Sequence, residues 1–248
     1  MTPSPDGYEI GVQSFTYREF DVPGLCDELS ATDVTAIELC HEHVTPETGT
    51  ERIDAIKHDL ADAGLDICGY GVAGFEDVEG SRIREVFSLV DELGGDYCSL
   101  EFPPADDALR SQLLSVGAEF DLDLAIHNHG PGATYSTVDD VARVLEATAD
   151  TRLGACVDTG HFLRSGEEPA EVLQRLGERV LALHLKDFIN EDTEAVPGDG
   201  RLDIPEFLDS LAAETTLDQP LVIEYEADAE NPTPAVVQAV EAVQTASE

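Results

Sequence analysis

The sequence predicts an α/β chain closed into a single (β/α)8 barrel over residues 1–248, on three observations. Eight short apolar, β-rich runs recur at intervals of about 25–40 residues, a segment of helical period follows each, and histidines and acids collect where the runs end. At 248 residues the chain has the length of one such barrel and can bury a core without staples. The competing architecture is an open doubly wound sheet. That sheet calls for a glycine-rich phosphate turn after the first strand, and Gln13-Ser14-Phe15-Thr16-Tyr17 contains no glycine.

In order, strands are expected near 9–14, 36–39, 66–70, 96–101, 123–127, 154–158, 180–185 and 220–224. Between the second and third, Ile53, Ile56, Leu60 and Ala61 keep one helical face; between the third and fourth, Ile83, Val86, Phe87, Val90 and Leu93 repeat it. Gly64 and Gly94-Gly95 read as helix stops, and Ser81, Thr137 and Asp203 as N-caps.

The charge excludes several classes of partner. Fifty-three acids against 13 basic residues give a formal charge of -40, spread along the whole chain and not gathered in a tail. This reads as a solvated acidic surface of the halophilic kind, whose self-repulsion is screened by salt. Nucleic acid is not an expected partner, because phosphate binding needs a basic stripe. No membrane partner is expected either: residues 1–11 lack an apolar leader core, and no apolar run approaches the roughly 20 residues of a spanning helix. Five scattered cysteines, with no C-x-x-C pair, read as reduced, buried residues of a cytoplasmic protein. Assembly into a homo-oligomer is left open.

Six of the seven histidines fall at run ends; only His58 lies elsewhere. His127, Asp158, His184 and Glu224 each follow directly on an apolar run, on four strands expected to be consecutive. Neighbouring strands lie about 4.7–4.9 Å apart, so such side chains can surround one divalent ion. Glu38 and Glu101 interrupt otherwise apolar strand ends, which is costly for a carboxylate unless it is paired or functional. One of only two lysines, Lys186, stands beside His184.

Four short stretches carry a resemblance: Val157-Asp158-Thr159-Gly160-His161; the run from Arg179 to Asp187 containing His184-Leu185-Lys186; Gly198-Asp199-Gly200-Arg201-Leu202-Asp203; and Ile223-Glu224-Tyr225-Glu226. In this order and spacing the chain resembles the sugar phosphate isomerase/epimerase family of xylose-isomerase-like TIM barrels, near its tagatose epimerase and inosose dehydratase types. The resemblance implies a divalent ion (Mn, Zn, Co or Mg) held by Asp158, His184, Glu224 and a fifth-strand residue. That residue is usually Glu in the epimerases, and this chain has His127 there.

The implied reaction is isomerisation or epimerisation of a sugar or sugar phosphate by α-proton transfer, with inosose-type dehydration and a non-catalytic sugar-binding barrel as alternatives. The expected proton-moving groups are Glu224, Glu101 and His161. Lys186, His161, His41, Glu38 and His129 are expected to touch the sugar or polyol, with Glu101 also readable as an internal ion-pair partner. An abasic-site endonuclease would need further metal-binding histidines after the seventh strand, where 198–203 offers only Asp199 and Asp203.

Overall fold

Eight parallel strands close on themselves in the computed structural model, which describes residues 7–76 and 80–247. They are β1 (Ile10–Gln13), β2 (Ala36–Leu39), β3 (Asp66–Gly74), β4 (Tyr97–Glu101), β5 (Asp123–His127), β6 (Leu153–Asp158), β7 (Val180–Leu185) and, after a two-stranded antiparallel insert of β8 (Asp187–Phe188) and β9 (Glu194–Ala195), β10 (Leu221–Ile223). Around the barrel they run β1-β10-β7-β6-β5-β4-β3-β2, so the first and last strands meet, with Ile10 opposite Leu221 and Val12 opposite Ile223. The insert is the one departure in strand number. Its two-residue strands sit in a loop and carry no periodicity that a sequence could display. The first six residues, read above as lacking a leader core, lie outside the described set.

Helices α1 (Val22–Leu29), α2 (Thr50–Asp62), α3 (Gly80–Leu93), α4 (Asp107–Phe120), α5 (Val138–Glu146), α6 (Thr159–Arg164), α7 (Pro169–Leu176), α8 (Ile204–Glu214) and α9 (Thr233–Ala246) fill the connections. Their ends follow the expected chemistry. Thr137 and Asp140 form a reciprocal capping box on α5, and the Asp203 carboxylate accepts from the Glu206 amide to start α8. Just beyond α2, Gly64 takes φ 76°, a left-handed turn open to glycine. Ser81 is the exception: α3 already begins at Gly80, which puts Ser81 inside the helix.

The core has two parts. A large one packs strands against helices, and a smaller one draws Ala36, Cys68, Tyr97, Ala125, Cys156, Ala182 and Val222 from seven different strands. Side chains alternate faces along a strand, so residues two positions further on line the next layer of the same interior. From six of those strands that layer is Glu38, Ser99, His127, Asp158, His184 and Glu224. An apolar floor thus carries a polar storey at the C-terminal end of the barrel, where barrels of this type hold their chemistry.

Candidate active site

His127, Asp158, His184 and Glu224 each offer one ligand atom, and these atoms lie within 4.8 Å of one another. His184 is the hub. Its Nδ1 is 3.0 Å from His127 Nε2 and 3.1 Å from Glu224 Oε2. Asp158 approaches from β6, where its Oδ1 accepts from the His161 amide at 2.8 Å and caps α6. Asn128 fixes the same strand end, accepting from the Asp158 amide at 2.8 Å and donating to its carbonyl at 3.0 Å.

Two buried polar atoms of this group, Asp158 Oδ2 and His127 Nδ1, have no hydrogen-bond partner among the described residues. An orphaned oxygen on a carboxylate with 0% exposure is expensive unless something outside the chain meets it. A divalent cation is the group that fits two carboxylates and two imidazoles. A second grouping, His127, Cys156 and His184, offers three ligand atoms and no carboxylate, so it lacks the unpartnered oxygen that marks the first.

The electrostatics divide the carboxylates. Burial pushes Asp158 up to about 7, against the pull of Lys186. Burial acts the same way on Glu224, but Lys186 and His184 outweigh it and hold that carboxyl well below its ordinary range. Burial opposes a charge on His184, yet Cys156 and Glu38 beside it keep it well above the ordinary histidine value. His127 goes the other way, pushed down by burial and by His129 and His184.

Three more groups rim the centre. His129 Nδ1 is 2.9 Å from Glu101 Oε1; burial works against protonation there, and the Glu101 hydrogen bond overcomes it and raises the imidazole. His161, its ring 5.3 Å from that of His129, is driven down to about 3 by burial and then by Lys186. Lys186 is buried against Glu226, with Glu194 at 3.5 Å and Glu224 at 3.8 Å; burial opposes its charge, and these carboxylates more than restore it. His161, Arg164, Lys186, Phe188, Glu194 and Glu226 line an open cavity of about 470 Å³ at the mouth.

Two expected substrate contacts, Glu38 and His41, are not among the residues lining that cavity. Glu38 has 0% exposure and sits behind His184, not at the mouth, because its strand position points into the barrel interior. His41 is exposed and pairs with its neighbour Glu42 at 2.9 Å. Its companion His43 is bound to Ser14 Oγ at 3.1 Å and the Phe20 carbonyl at 3.2 Å, a packing role. Sequence reasoning missed Arg164, which stacks over Phe188 at 5.0 Å with Nη1 3.3 Å from His161 Nδ1, and Glu194. Arg164 had a usable signal, three residues beyond His161 on one helical face. Glu194 had none.

A closed eight-stranded barrel with acid and imidazole side chains converging at its C-terminal end belongs to a recognisable class of α/β barrels. Residues 26–246 match the xylose isomerase-like TIM barrel family, and the chain belongs to it. Inosose dehydratase of Geobacillus kaustophilus (strain HTA426) is 28% identical over 234 residues, covering 79% of this chain and 74% of that protein. The rhizopine catabolism protein MocC of Rhizobium meliloti is 33% identical over 129 residues, but this match covers 45% of the chain and 39% of MocC. Inosose dehydratase of Clostridium botulinum (strain Eklund 17B / Type B) is matched over 45% of its length, so the chain spans less than half of either of these two relatives. Among solved structures, D-psicose 3-epimerase from Clostridium cellulolyticum H10, determined with D-tagatose, superposes with a TM-score of 0.78 at 12% identity, covering 97% of this chain and 99% of that one. The IolI protein, determined with a bound zinc atom, gives 0.75 at 13% identity, with 97% and 99% covered. At these identities the structures share the fold.

Proposed function

We propose that the protein is a divalent-metal-dependent enzyme that removes the proton next to the carbonyl of a small sugar or polyol ketone and expels the hydroxyl of the adjacent carbon as water. Asp158, Glu224, His184 and His127 would hold the ion, with Zn, Mn, Co and Mg all compatible with two oxygen and two nitrogen donors. A bound ion supplies Lewis-acid polarisation of the carbonyl and its neighbouring oxygen.

The observation that carries the reading is the asymmetry of the walls. Glu224, on the β10 side, is held charged and can take the α-proton; on the β5 side stands His129, held toward its protonated form by Glu101. A base on one wall and an acid on another suit elimination: the C–H bond breaks toward Glu224, a C=C bond forms, and the leaving hydroxyl takes the His129 proton. Inosose dehydratases among the relatives support the same reading. His161 stays neutral near the substrate oxygens. Lys186 and Arg164, the cations of the mouth, are already engaged by carboxylates and by the Glu191 carbonyl, which favours an uncharged polyol over a phosphate ester.

Isomerisation or epimerisation is the second reading, favoured by the Glu101 carboxylate on β4, which offers a second base. The test is a panel of inososes, ketoses and their phosphates in deuterated water with the metal-loaded protein. Expected are loss of one water and, in Glu224→Gln, a fall in α-hydrogen exchange of about 100-fold or more. A product isomeric with its substrate selects the second reading, and no exchange with any member of the panel removes both.

A further inference from the structure

Glu38 is, like Asp158, a fully buried carboxylate of the polar storey, and four hydrogen-bonding groups converge on it. Tyr97 Oη donates to Oε2 at 2.6 Å, Ser99 Oγ to Oε1 at 2.6 Å and Gln13 Nε2 to Oε1 at 3.1 Å, while His184 Nε2 meets Oε2 at 2.7 Å. Three of these partners come from strands other than that of His184, so the carboxylate has holders independent of the imidazole. The chain makes room for this. A Cβ on Gly69 would stand 2.5 Å from Tyr97 Cζ, so only glycine there lets the phenol lie across the barrel and present its hydroxyl to Glu38.

Glu38 does not face the mouth, and His184 lies between it and the ion-binding candidates. The two ring nitrogens of His184 therefore have separate tasks: Nε2 faces Glu38, and Nδ1 faces His127 and Glu224. We propose that Glu38 is a positioning residue that holds a proton on His184 Nε2, so that Nδ1 is the nitrogen turned toward the ion-binding ring. The inference rests on the proposed metal site, although the hydrogen bond itself does not. A carboxylate behind a ligating imidazole fixes the ring's tautomer and rotation and increases its basicity, and its loss typically lowers metal affinity 10–100-fold.

The test uses two readouts on Glu38→Gln, which keeps the size but replaces one acceptor oxygen with an NH2 facing donors. Zinc titration calorimetry on the full chain is expected to give an affinity 10–100-fold below wild type. Independently, the downfield ¹H–¹⁵N signal of His184 Nε2–H is expected in ion-free and zinc-loaded wild type and displaced or lost in the variant. Unchanged affinity overturns the proposal, as does a fall in affinity with the Nε2–H signal unmoved. If wild type takes up no ion, the metal reading falls while the ring signal still decides whether Glu38 holds His184. Should Glu38→Gln fail to fold, Tyr97→Phe, which strips one donor from the same oxygen, is read in both ways: a smaller change in the same direction supports the assignment, and no change overturns it.

Discussion

Asp158 and Asp187 are buried aspartates at the ends of neighbouring runs, both with 0% exposure, and the chain treats them in opposite ways. Asp187 is saturated. Its two oxygens accept from the backbone amides of Phe188, Gly198, Gly200, Arg201 and Leu202 at 2.7–3.0 Å, tying β8 to the loop between β9 and α8. Asp158 has one oxygen spent on the α6 cap and the other without a hydrogen bond among the described residues, with Nε2 of His127 and of His161 each 3.9 Å away. A saturated buried carboxylate is architecture, whereas a half-satisfied one in a ring of imidazoles is a vacancy in the hydrogen-bonding scheme that chemistry can use.

The largest effect expected to break this comparison is on ion uptake. Asp158→Asn keeps the α6 cap but removes the charge, and should weaken zinc or manganese binding by about 100-fold or more in calorimetry. Its stability should move the other way. Because burial raises Asp158 from 3.8 to about 7, ion-free wild type binds the extra proton only when folded, so it loses stability as pH rises across that window. The variant has no such proton to lose. Its melting temperature above pH 7 should therefore equal or exceed that of ion-free wild type, and a large drop would make Asp158 structural.

Asp187→Asn should show the reverse. The new NH2 group confronts amide donors, and a loss of about 3 kcal/mol is expected in denaturant unfolding, with ion uptake per folded molecule retained. Loss of ion binding without loss of stability would erase the distinction.

The exposed acids form a third population and sharpen the contrast through salt. Their mutual repulsion is screened at a Debye length of about 3 Å in 1 M salt, so stability should climb from low to molar potassium chloride in wild type and in both variants alike. A flat melting curve across that range would sink the halophilic reading of the -40 charge. The smallest expected effect is local: in Glu101→Gln, an NMR pH titration should find His129 lower than in wild type while His161 stays neutral across the same range, since only His129 owes its shift to Glu101. Equal titration of His129 in both proteins would remove its partner from the proposed acid.

Much of this is legible in the sequence alone. The strand ends at His127, Asp158 and His184 stand where the apolar runs predicted, and two-residue spacing from Ala125, Cys156 and Ala182 places each one layer above the floor. Glu38 announced itself as an odd carboxylate in an apolar strand. Its partners did not, because Tyr97, Ser99 and His184 lie 59, 61 and 146 residues away and meet it only through barrel register. The enclosure of Lys186 was hidden for a similar reason: Glu194 belongs to an insert with no period, and Glu226 lies beyond the last strand. Local pattern finds which side chains are anomalous; closure of the sheet decides which of them meet.

That closure has a consequence for synthesis. The converging side chains are spread from residue 127 to residue 224, and Glu224 arrives on the strand that must also pair with β1 before the barrel has no open edge. A growing chain can assemble neither the seam nor the complete ring until its last strand has left the ribosome. If the ring holds the proposed cation, its capture needs the same strand that seals the barrel, and chelator added during translation should slow the gain of protease resistance only after β10 has emerged.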